Sequence, residues 1–161
     1  MDIFKRMTFA DYITAGNGVC GMITIVLSLQ LHYSWAALFL LAAVACDYLD
    51  GHVARWLRQS NAVGEQLDSL ADIISFGVAP AVFAYQLGAN QLWQMAVIIF
   101  FVLAGVLRLA RFNVTRAYLG MPITMNGIIV PVLFLAGFAD YTIYYFIAAI
   151  ILMLSTIRFR K

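Results

Sequence analysis

Asp47, Asp50, Asp68 and Asp72 interrupt an otherwise apolar stretch. They stand in the run Asp47-Tyr48-Leu49-Asp50-Gly51-His52-Val53-Ala54-Arg55, followed by Gly64-Glu65-Gln66-Leu67-Asp68-Ser69-Leu70-Ala71-Asp72. Spacings of three and four place each pair on one face of a helix, so two such helices side by side present four carboxylates to one point. Bound cations make that arrangement comfortable at neutral pH. Hard divalent ions such as Mg2+ or Mn2+ take oxygen ligands and bridge carboxylates to substrate phosphates. Four aspartates suit two such ions, and a metal pair about 4 Å apart can hold the attacking and leaving oxygens of a phosphoryl displacement. Gly51 and Gly64 let a ligand approach the backbone closely. Arg55, a turn beyond Asp50, offers a forked donor to phosphate. The same spacing also fits interfacial charges that solvate helix ends, or a divalent-cation transport site.

The elements that position these groups follow from composition. Hydrophobic residues make up 64% of the 161 positions and charged ones 11%, against about a quarter charged in soluble domains. A helix needs about 20 apolar residues to cross the hydrocarbon layer. Suitable runs fall near 12–31, 34–53, 69–88, 91–110, 122–139 and 141–157. The expected fold is therefore all-α and integral to the membrane: a bundle of six transmembrane helices in a single domain over 1–161, with the four aspartates at helix ends or in a wet cavity. Longer loops are expected only at 54–67 and 111–121.

Basic residues give the orientation. Lys5 and Arg6 precede the first span, Arg55 and Arg58 follow the second, Arg108, Arg111 and Arg116 close the fourth, and Arg158, Arg160 and Lys161 follow the sixth. All fall on one side, so the positive-inside rule places both termini and the aspartate cluster in the cytoplasm of a multi-pass plasma-membrane protein. A basic face of this kind attracts anionic lipid headgroups or nucleotides. Nucleic acid is not an expected partner, because the chain has no soluble basic domain to hold it. A transporter would spread charge along a path through the bilayer, and the outer half of this sequence has almost none. Cys20 and Cys46 both fall in apolar spans and are expected to remain free thiols.

The run from Asp47 to Asp72 resembles the signature of the CDP-alcohol phosphotransferase family: Asp-x-x-Asp-Gly-x-x-Ala-Arg, eight residues, Gly, three residues, Asp, three residues, Asp. Every fixed position is present. The resemblance implies a six-helix core whose site opens to the cytoplasm, two divalent cations, a CDP-lipid substrate and a homodimer. It implies that Asp47, Asp50, Asp68 and Asp72 are metal ligands, with Asp47 and Asp68 shared by both ions, and that Asp72 is also the general base. Gly51, Ala54, Arg55, Asn61 and Gly64 would cradle the nucleotide and diphosphate. On the first span, Ala10-Asp11-Tyr12-Ile13-Thr14 is similar to the family's Pro-Asn/Asp-x-x-Thr, with Ala10 in place of proline, which adds Asp11 and Thr14 to the CDP-lipid residues.

The acceptor is read from three further runs. Ser75-Phe76-Gly77-Val78-Ala79-Pro80, Arg108-Leu109-Ala110-Arg111-Phe112-Asn113 and Thr14-Ala15-Gly16-Asn17-Gly18-Val19-Cys20-Gly21 resemble the family branch that uses L-serine. That resemblance implies transfer of a phosphatidyl group from CDP-diacylglycerol, or of its archaeal ether-lipid equivalent, to L-serine. It adds Asn17 to the CDP-lipid residues and Arg108, Arg111 and Asn113 to the acceptor or lipid-phosphate residues. Arg108 and Arg111 share a helix face near the boundary, where they could hold a carboxylate or phosphate, or snorkel to headgroups as anchors. Glycerol 3-phosphate or an inositol phosphate is the alternative acceptor.

Overall fold

The computed structural model describes residues 8–57 and 62–156, and every regular element among them is helical. Helix α1 spans Phe9–Leu29. It starts where Thr8 leaves the helical region and Asp11 turns back, its Oδ2 accepting the Thr8 backbone N–H at 2.7 Å, a capping box that satisfies otherwise orphaned donors. A tight turn follows, with Leu31 in the left-handed region at φ 62°. Helix α2, Tyr33–Leu57, then returns along α1.

The third span is composite. Helix α3, Ala62–Asp72, runs into a π-helical turn at Ile73–Val78, and α4, Ala79–Gln86, continues it. In the wide turn the Ala79 N–H reaches back five residues to Ile74 O. Pro80, in the first turn of α4, has no N–H to offer the Phe76 carbonyl four residues earlier. That carbonyl accepts instead from Asn126 Nδ2 at 3.3 Å, while Asn126 Oδ1 accepts from Tyr145 OH at 2.6 Å. One buried amide thus ties the interrupted span to the last two described helices. On its other side, Ser75 Oγ donates to Asn17 O of α1 at 2.9 Å. A Cβ on Gly21 would collide with Ser75, so glycine permits this approach.

Helix α5 spans Leu92–Thr115, α6 Asn126–Leu135 and α7 Thr142–Leu154, with short 3-10 turns at Ile123–Met125 and Ala139–Tyr141. Leu70, Ile99 and Ile151 are each 65% exposed while Asn17, Thr24, Ser28 and Asn126 are fully buried. Apolar outside and polar or small inside is the order expected when lipid is the solvent. Phe9–Leu29, Tyr33–Leu57, Val63–Gln86 and Leu92–Thr115 are long and apolar enough to cross a bilayer. Ile123–Leu135 and Ala139–Leu154 are apolar but shorter, at 10–17 residues. The expected count of six therefore resolves into four helices of spanning length and two that cover about 15–25 Å at 1.5 Å per residue.

The boundaries differ from those expected in one instructive way. The second and third spans extend to Leu57 and back to Val63, so Asp50 and Asp68 lie within continuous helix rather than at its ends. The carboxylates are accommodated by a cavity instead of by fraying. Cys20 and Cys46 are free.

Candidate active site

Two helices supply the acidic groups. Asp47 and Asp50 come from the last turns of α2, and Asp68 and Asp72 from α3. Oxygen atoms of Asp47, Asp50 and Asp68 all lie within 4.8 Å of one another. Asp72 sits one turn deeper, its side chain within hydrogen-bonding reach of Asp47. Asp50 and Asp72 are 6% and 7% exposed. Two carboxylates in such contact need a proton or a cation between them. Asp50 Oδ2 is buried without a hydrogen-bond partner, a costly condition for a carboxylate oxygen in protein. A hard divalent cation, with ligand distances of about 2.0–2.6 Å, answers both features, so the donor set fits such an ion.

Helix α1 braces the cluster. Asn17 Nδ2 donates to Asp72 Oδ1 at 3.2 Å, and Asn17 Oδ1 has no partner. Thr14 is buried and its hydroxyl donates to Ala10 O at 3.2 Å. Asp11, also buried, is occupied in capping α1. None of the three lines the cavity beside the carboxylates. Asn17 holds Asp72, Thr14 lies within hydrogen-bonding reach of Asp50, and Asp11 starts the helix that carries both.

That cavity holds about 320 Å3 and is walled by α2, α3, α5 and the segment between α5 and α6. Gly51 and Arg55 line it beside the four aspartates. Arg55 is exposed, its Nη2 3.2 Å from His52 Nδ1. Ala54, half-buried, sits three residues along α2 from Gly51, and Gly64 is half-buried near the start of α3. Neither lines the cavity. Asn61 lies outside the described residues.

The two arginines expected to act together part company. Arg108 is 8% exposed, lines the cavity, stacks its guanidinium 5.7 Å from the Phe112 ring centroid, and leaves Nε without a partner. Arg111 is turned the other way. It donates to Leu119 O at 3.2 Å, Met153 O at 3.0 Å, Leu154 O at 3.3 Å and Ser155 O at 3.1 Å. It therefore fastens the end of α7 to α5 and is not among the residues that line the cavity. Its neighbour Asn113 does line the cavity, exchanging hydrogen bonds with Ser69 at 3.0 and 3.2 Å.

Glu65, Ser69, Tyr118 and Thr124 also line the cavity and were not singled out from sequence. Ser69 had a usable signal, since it directly follows Asp68 on the same helix. Tyr118 and Thr124 had none, because they reach the cavity from an irregular segment and from a single 3-10 turn, both too short for periodicity.

The sequence matches the CDP-alcohol phosphatidyltransferase family over residues 7–159. The chain belongs to this family. Among similar proteins is a CDP-diacylglycerol–serine O-phosphatidyltransferase of Saccharomyces cerevisiae, 44% identical over 73% of this chain and 45% of that protein. One of the same name from Methanocaldococcus jannaschii is 35% identical over 99% of this chain and 77% of its own length. An archaetidylserine synthase of Methanothermobacter thermautotrophicus is 34% identical over 99% of this chain and 72% of its own. The chain thus spans under half of the yeast relative and about three quarters of the archaeal ones. In this transferase family chain, the cavity among α2, α3 and α5 is where the four aspartates, Gly51 and Arg55 of the signature meet Arg108.

Proposed function

We propose that this chain transfers a phosphatidyl group, or its ether-lipid equivalent, from a CDP-lipid to L-serine and releases CMP. The observation that carries the choice of acceptor is Arg108, a buried cation with an unpartnered Nε in the wall of the carboxylate cavity. A guanidinium held there suits a carboxylate bidentately. Proteins named for serine transfer, similar over nearly the whole chain, support the same reading.

Asp47, Asp50, Asp68 and Asp72 would hold two divalent cations, Mg2+ or Mn2+, which when bound neutralise the diphosphate and stabilise charge developing on the transferred group and the departing CMP. The chain's own residues do the rest. Arg55 meets a phosphate, and Gly51 leaves backbone open to the nucleotide, with Ala54, Asn61 and Gly64 completing that cradle. Arg108 orients serine by its carboxylate. Asp72, fixed by Asn17, takes the proton from the serine hydroxyl. The serine oxygen bonds to the phosphorus nearer the lipid as the bond from that phosphorus to the bridging oxygen breaks, and CMP departs with that oxygen. No covalent enzyme intermediate is required.

We also read residues 1–161 as a single catalytic domain in a plasma membrane, with its basic end in the cytoplasm. The described basic side chains Arg55, Arg108, Arg111 and Arg116 all lie toward that end, near where α2 and α5 finish, which the positive-inside rule assigns to the cytoplasm. The deciding assay is CMP release by purified protein given CDP-lipid, Mg2+ or Mn2+, and in turn L-serine, glycerol 3-phosphate and an inositol phosphate. Release with serine alone is expected. Release with a phosphate-bearing alcohol but not serine would refute the acceptor assignment.

A further inference from the structure

At the mouth of the cavity, Glu65 in the first turn of α3 faces Arg116 at the end of α5, with Glu65 Oε2 2.6 Å from Arg116 Nη2. Their side chains are 46% and 62% exposed, and a pair so open to water adds little to stability. Its value lies elsewhere. Glu65 is not a fixed position of the family signature and, among the described residues, is the one carboxylate of this cavity outside the aspartate cluster. Besides Arg116, which Glu65 already pairs, the wall is cationic at Arg55 and Arg108 and neutral but polar at Ser69, Asn113, Tyr118 and Thr124.

An acceptor bearing only negative charge would meet Glu65 as a like charge, which disfavours it. A free amino acid carries both signs on neighbouring atoms. Its carboxylate suits Arg108, and its ammonium finds in Glu65 a cation-binding group that the Arg116 guanidinium already marks by occupying it. We propose that Glu65 is the specificity-determining residue that reads the acceptor's amino group, with the substrate ammonium displacing Arg116. This rests on the serine reading and adds what that reading lacks: a physical reason for rejecting phosphate-bearing alcohols.

The test is steady-state kinetics of purified wild type, Glu65→Gln, Glu65→Asp and Arg116→Gln. Acceptors are L-serine and glycerate, which carries a hydroxyl in place of serine's ammonium. Glu65→Gln should raise the KM for serine roughly tenfold or more, as loss of a charged hydrogen bond does. The KM for CDP-lipid should stay unchanged in the same preparation, which also reports an intact fold. The gap between serine and glycerate should narrow, and Glu65→Asp should restore most of it. Arg116→Gln, by removing the competitor, should leave the serine KM equal or lower. Parallel losses in Glu65→Gln and Arg116→Gln, on both substrates, would mean that the pair only ties α3 to α5 and would overturn the proposal. Wild type that turns over glycerol 3-phosphate but not serine would instead overturn the acceptor reading beneath it.

Discussion

Replacing Arg108 and Arg111 separately by Gln divides recognition from construction. Arg108 is buried with Nε unpartnered in the cavity wall, so on the proposed reading Arg108→Gln removes the charged donor for the acceptor's carboxylate. A charged hydrogen bond contributes about 1.5–3 kcal/mol, which corresponds to a loss of roughly tenfold to 150-fold in kcat/KM. That loss should fall on serine and spare the KM for CDP-lipid. Arg111 donates to four backbone carbonyls, three of them at Met153, Leu154 and Ser155 where α7 ends. Water can replace part of that set at a boundary, so the cost of Arg111→Gln is about 1–3 kcal/mol rather than the sum of four bonds. For a chain of this size that lowers the unfolding midpoint by roughly 2–10 °C, with little change in the KM of the folded fraction. CMP release against serine and CDP-lipid, paired with thermal unfolding in one detergent, reads both effects. The reasoning fails if Arg111→Gln raises the serine KM selectively, or if Arg108→Gln lowers the midpoint while leaving the serine KM untouched.

Asp47→Asn and Asp68→Asn should each abolish transfer and weaken Mn2+ binding measured by titration, whereas Asp72→Asn should abolish turnover yet retain part of the CDP-lipid binding. Chelation of the wild type should remove activity reversibly, and near-normal turnover by the Asp72 variant at saturating metal would eliminate it as the base. Asn126→Leu strands the Phe76 carbonyl and the Tyr145 hydroxyl and should cost about 2–5 kcal/mol of stability, seen as an early unfolding midpoint; an unchanged midpoint would show that the amide does not tie the spans together. In a variant lacking Cys20 and Cys46, a cysteine at exposed Thr115 should react with an impermeant thiol reagent only after the cytoplasmic face is opened, and one at exposed Asn90 should react in intact cells. The reverse pattern would invert the topology.

The acidic cluster was legible because its information is local. Spacings of three and four within helices fix which side chains share a face, whatever the rest of the chain does. The Arg108 and Arg111 pair shows where that reasoning stops. Their spacing gives a common face, but the partners that separate their roles come from residues 153–155, too distant in the chain for any local pattern to anticipate. The same holds for Asn126, whose partners lie at Phe76 and Tyr145. Span number is less legible in the last third, where apolar composition between 122 and 157 continues through turns, so that among the described residues it holds two shorter apolar helices. The third span starts earlier than its apolar run, at Val63, because the cavity, one of the two placements expected for the carboxylates, lets Asp68 sit inside a helix.

The π turn at Ile73–Val78 also sets the rotational phase of the third span. An α-helix advances about 100° per residue, so one residue absorbed in a widened turn shifts everything after it by that angle relative to an unbroken helix. Asp68 and Asp72 on one side of the turn and Phe83 on the other therefore need not follow one continuous stripe. The half that carries the carboxylates is keyed to α1 through Asn17, and the turn itself is keyed to α6 through the bond from Asn126 to Phe76. The widened turn already absorbs one residue, so deleting a residue within 73–78 would convert it to ordinary α-helix and leave the two halves in their present phase, whereas winding it into α-helix at full length would swing one half against the other by about a quarter of a revolution. The wide turn is consequently a compensator, letting the span carry an extra residue without turning the contacts on either side of it.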